Sequence, residues 1–149
     1  MEKLQFKTII NASAEKVFST LTGLKTYKQW TAEFDPTSSY EGSWEKGSKI
    51  IFTALNKEGK RCGMVSKIAE NVANRFISIR HFGILDGEKE IIEGPEVEKF
   101  SGGLENYSFE ESDGTTTLSV ELDTNEEHIS YFKETFPKAL EKLKAICEQ

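Results

Sequence analysis

The 149-residue chain is long enough for one domain that buries roughly 68–70% of its unfolded surface. At 37% hydrophobic content with 10 Phe it is too apolar for a disordered chain. With 19 Lys and Arg against 25 Asp and Glu, the formal charge of -6 offers no footprint for phosphate backbones or anionic membrane surfaces, so nucleic acid is excluded as a partner. No apolar run has the length of a signal peptide or a membrane span, which predicts a cytoplasmic protein without membrane insertion. Cys62 and Cys147 are far apart in sequence and belong to no Cys-x-x-Cys spacing, so both are expected as free thiols.

The elements follow in order. Leu4, Phe6, Thr8 and Ile10 alternate with Lys3, Gln5 and Lys7, the period of a half-buried strand, with Ile9 breaking the polar face. Ser13 then offers an N-cap and Glu15 an acid in the first turn of a short helix that carries Val17, Phe18 and Leu21 and ends at Gly23. A second short helix from about Leu24 sets Tyr27, Trp30 and Phe34 on one face before Asp35-Pro36 stops it.

From Ser38 to Asp123 the chain breaks into short runs separated by turn chemistry at 45–48, 57–60, Asp86-Gly87 and Asp113-Gly114, which predicts antiparallel strands. If charged and small polar residues face water, then Ile50, Phe52 and Ala54 point inward, as do Met64, Ser66 and Ile68. Ser78 and Arg80 likewise face out and put Ile77, Ile79 and His81 inside; Asn106, Ser108 and Glu110 face out and put Glu105, Tyr107 and Phe109 inside. Leu118, Val120 and Leu122 give the cleanest alternation in the chain. The acidic stretch from Asp86 to Gly103 reads as a long excursion at one sheet end. After Asn125 the period becomes helical, with Ile129, Phe132, Phe136, Leu140, Leu143 and Cys147 forming one stripe, and Pro137 is expected to kink that helix near Lys133.

The resulting class is α+β in the helix-grip arrangement. A curved antiparallel sheet of about six or seven strands wraps a long C-terminal helix, with two short helices after the first strand, in one domain over residues 1–149. The opening Ile10-Asn11-Ala12-Ser13-Ala14-Glu15-Lys16-Val17-Phe18 resembles that of the START-like, polyketide-cyclase-like (SRPBCC) superfamily, and Trp30 stands where that family often carries one. Gly42-Ser43-Trp44-Glu45-Lys46-Gly47-Ser48, the stretch Glu105 to Glu110 with Gly114-Thr115-Thr116, and Leu140-Glu141-Lys142-Leu143-Lys144 resemble the branch related to the activator of the heat-shock chaperone ATPase. These are motifs of caps, turns and core positions and carry no reaction. The resemblance implies a cavity between sheet and helix for a small hydrophobic or amphipathic molecule, with activities in the superfamily ranging from lipid carriage to ring cyclisation.

The candidate lining is Trp30, Phe52, Met64, His81, Glu105, Tyr107, Phe132 and Phe136. The aromatics fit stacking on a flat ligand and fit an ordinary core equally well. His81 beside Glu105 could relay a proton in a cyclisation or dehydration, or it is simply satisfied by a hydroxyl or water near the sheet end. Glu105 either orients a ligand or sits at the cavity mouth against Arg75, Arg80 or solvent. No nucleophile, dinucleotide or P-loop motif occurs, two lone histidines argue against zinc, and no cofactor or metal is expected. Expected partners are the small hydrophobic ligand and, as open alternatives, a second copy of the chain or a chaperone whose ATPase it stimulates.

Overall fold

The computed structural model describes residues Met1–Gln149. Strand β1 (Glu2–Ile10) leads into α1 (Ala14–Thr22) and α2 (Leu24–Trp30), followed by a 3₁₀ turn at Thr31–Glu33. The strands β2 (Ser39–Gly42), β3 (Lys49–Leu55), β4 (Arg61–Val72) and β5 (Phe76–Asp86) come next. Then follow β6 (Lys89–Ile91), a short α3 (Pro95–Glu98), β7 (Leu104–Ser112) and β8 (Thr115–Thr124). A 3₁₀ turn at Glu126–His128 enters the last helix, α4 (Ile129–Cys147). The strands form one antiparallel sheet in the order β1-β8-β7-β5-β4-β3-β2, with β6 added beside the far end of β5. The helix-grip class is therefore observed, with eight strands because β2 and β6, of four and three residues, also pair.

Local chemistry sets the boundaries. The Ser13 hydroxyl accepts from the Lys16 amide at 3.1 Å and caps α1. Gly23 closes α1 by donating its amide to the Ser19 carbonyl and opens α2 by accepting from Tyr27. At the β7–β8 hairpin, Asp113 and Gly114 take φ of 52° and 79°, the pair of positive values a two-residue turn needs to follow the strand twist.

The inner face of the sheet, α1, α2 and α4 enclose one core of 21 buried residues, among them Ile10, Val17, Leu21, Ile68, Ile77, Leu118, Val120 and Leu143. Trp30 is buried within it and donates its indole N–H to the Leu21 carbonyl at 3.1 Å, so its polar edge is satisfied. Helix α4 is unbroken across Pro137, which lies inside it, so the proline ends no segment. Lys144 Nζ reaches the Ile9 carbonyl at 2.7 Å, and Glu148 accepts from the Asn11 amide at 2.8 Å, which ties the end of α4 to the end of β1.

Two outcomes differ from the parity reading. Ser78, expected to face water, is only 6% exposed: on a central strand it lies in register with the longer Glu70 and Asn106. The excursion after Asp86, weakly patterned in the sequence, contributes β6 and α3 and buries Val97. It crosses the outer face of the sheet so closely that a Cβ on Gly83 would stand 2.9 Å from the Ile91 carbonyl oxygen and 3.2 Å from Val65 Cβ. Val65, Leu85 and Val97 are buried outside the main core, a small second cluster on the back of the sheet.

Candidate functional site

The space between the N-terminal half of α4 and the sheet is not filled by side chains. A cavity of about 370 Å³ lies there, bounded by α2 and its 3₁₀ extension, by β3, β4, β5, β7 and β8, by the turn at 100–103 and by α4. That volume is within the range of small-molecule sites. Trp30, Phe52, Met64, His81, Glu105, Tyr107, Phe132 and Phe136 all line it. The lining is closed at the bottom by Trp30 and Tyr107, each 2% exposed. It is most open at the start of α4, where His128 and Tyr131 are exposed.

The aromatic walls hold their shape by mutual contact. Phe6 stacks on Phe136 with centroids 4.9 Å apart, and Phe34 meets Phe136 edge-on at 5.1 Å. Phe34 also faces Phe132, and Tyr27 contacts both Trp30 and Phe52. Such offset and edge-to-face pairs fix ring orientations more strongly than aliphatic contacts do.

A chain of polar groups runs along the sheet floor. Ser66 Oγ and His81 Nδ1 are 2.6 Å apart, His81 Nε2 and Glu105 Oε1 are 3.1 Å apart, and the Tyr107 hydroxyl donates to Glu105 Oε2. Ser66 is fully buried and this is its only side-chain hydrogen bond. Its hydroxyl proton is satisfied only if it donates to Nδ1, which places the imidazole proton on Nε2, where it donates to Glu105. Both ring nitrogens of His81 are thus engaged, and a proton relay through it requires Glu105 to exchange a partner. The partners of Glu105 are His81 and Tyr107, not Arg75 or Arg80. Burial foremost, then the nearby Glu105 charge, pushes the phenols of Tyr27 and Tyr107 well above the ordinary tyrosine range.

Several lining residues escaped the sequence reading. Tyr27 and Phe34 share the helical face of Trp30 and could have been read from that stripe. Phe100, Asp123 and Asn125 come from connections and strand ends, where periodicity carries no signal. The Ser66–His81 bond depends on the register of β4 against β5, which shifts between Val65 and Ser66 so that Phe82 is skipped.

With this geometry in view, the family can be stated. The chain belongs to the family described as activator of Hsp90 ATPase homolog 1-like protein, whose model matches residues 11–148. Solved structures give the same fold at low identity. The Aha1 dimer of Colwellia psychrerythraea, solved in solution, is 20% identical, with 99% of this chain and 97% of that one covered and a TM-score of 0.73. A protein of Nitrosomonas europaea is 14% identical over 97% and 92% with a TM-score of 0.74. A third, from Mesorhizobium loti, is 13% identical over 97% and 96% with a TM-score of 0.71. No curated protein matches the sequence. No helix is long and apolar enough to cross a membrane.

Proposed function

We propose that this protein binds a small apolar or amphipathic molecule in the cavity beneath α4. The observation that carries this is one aromatic-walled space with hydrogen-bonded His81, Glu105 and Tyr107 in its lining and Ser66 buried behind His81, apolar bulk beside a few convergent polar groups. The test is a panel of small apolar and amphipathic compounds followed by thermal shift and native mass spectrometry. At least one compound is expected to raise the melting temperature and to lose its effect in Met64→Trp, which fills the lining. A panel without a single binder sinks the proposal.

A second reading, an interaction module that stimulates a chaperone ATPase, is favoured by the family match over residues 11–148. Titration into the Hsp90 ATPase assay decides it, since an unchanged rate at saturating protein removes this reading. Self-association, in line with the dimer described for the Colwellia psychrerythraea relative, is checked by light scattering at several concentrations.

A further inference from the structure

The proposed cavity carries a charge preference as well as a shape. Two carboxylates, Glu105 and Asp123, belong to the lining, and no Lys or Arg does. Half-exposed Lys3 stands 3.4 Å from Asp123, which also accepts from the Leu104 amide, so that acid is already engaged. Glu105 has no Lys or Arg beside it. Its one ion-pair candidate is His81, whose other ring nitrogen is taken up by the buried Ser66 hydroxyl. His81 and Tyr107 each donate one hydrogen bond to Glu105, and two bonds leave a carboxylate with acceptor positions to spare. Glu105 shares the lining with Tyr107, Trp30 and Phe52, rings of the kind that attract cations themselves.

Resting on the cavity-binding proposal above, we infer that the site selects organic cations: molecules with an apolar or aromatic body and a protonated amine that pairs with Glu105. Carboxylates of the same shape are rejected, because their charge would meet Glu105 with no Lys or Arg in the lining to compensate.

The experiment uses three probes on one skeleton, 4-phenylbutan-1-amine, 4-phenylbutan-1-ol and 4-phenylbutanoate, titrated calorimetrically at neutral pH into wild-type protein and Glu105→Gln. In the wild type the amine is expected to bind at least about tenfold more tightly than the alcohol, with the carboxylate weakest, as a charge-assisted hydrogen bond implies. In E105Q the amine should fall to within about threefold of the alcohol measured in the same variant. A carboxylate that binds as tightly as the amine overturns the inference, as does an amine preference that survives E105Q. Should E105Q fail to fold, the wild-type ranking alone decides. If none of the three binds while other panel compounds do, the cation preference falls and cavity binding stands; an empty panel removes both.

Discussion

The two halves of α4 lie on the same sheet and meet it differently. Towards the C-terminus, Ala139, Leu140, Leu143 and Cys147 are buried in the main core, where α4 packs on β1 and α1. Towards the N-terminus, Phe132 is half-buried, Tyr131 is exposed, and the space opposite holds His81 and Glu105. Flexible aliphatic side chains can settle into each other's gaps and reach close packing. Rings have fewer rotamers with which to close a gap, and a buried polar group stays where its hydrogen-bond partners are. The contrast teaches that an interior space persists where ring stiffness and polar satisfaction prevent collapse.

The sharpest way to break that contrast is truncation on each side. Leu143→Ala should cost about 2–5 kcal/mol in urea unfolding, as a cavity in a packed core does. Phe132→Ala should cost less than half as much, because its ring already borders open space. Equal losses would mean that the two halves are packed alike. Next in size, Ser66→Ala should cost about 1–3 kcal/mol by leaving buried Nδ1 of His81 unpaired. It should also change the tautomer signature of His81 in nitrogen NMR shifts, and an unchanged spectrum would remove the tautomer assignment.

A smaller effect appears only in alkali. Tyr27 and Tyr107 have their pKa values raised in the folded state, by burial first, so their contribution is complete below the ordinary phenol value of about 10 and is lost as pH climbs beyond it. Ultraviolet difference titration should show both ionising only as the chain unfolds, and Tyr27→Phe should blunt the alkaline loss of stability. The least effect belongs to exposed Glu148, whose pKa is lowered by the Asn11 amide first and by Lys144 second. A depressed carboxylate contributes above its unfolded pKa and stops contributing as pH falls through the folded one. The melting-temperature gap between wild type and Glu148→Gln should therefore exist at neutral pH and close in acid; a constant gap would point to another cause.

Legibility in the sequence followed regularity. The alternation of β8 and the stripe of α4 have undisturbed periods, so Leu118, Val120 and Leu122 and, on α4, Phe136, Leu140, Leu143 and Cys147 are readable in both type and facing, while buried Thr135 and Ala139 are not. Inward parity on β3, β4, β5 and β7 also brought the chosen lining residues together. What stayed hidden depends on contacts between strands. The register shifts of β4 on β5, near Phe82 and Ala69, leave no mark on either strand alone. The burial of Ser78 and the outer cluster of Val65, Leu85 and Val97 depend on neighbours distant in sequence. Pro137 is carried inside one continuous helix rather than ending it.

The pairing of β1 has a consequence for the order in which the molecule assembles. Its only strand partner is β8, with Glu2 opposite Thr124 and Ile10 opposite Thr116, and its far end is bonded to Lys144 and Glu148. Strand β1 must wait for the more than 100 residues that separate it from β8 before it finds its place. Until then its backbone is an unpaired edge with Ile9, 57% exposed even in the finished fold, beside it. Contacts of such long sequence separation slow folding, so closure of the sheet by β1 is expected among the last steps.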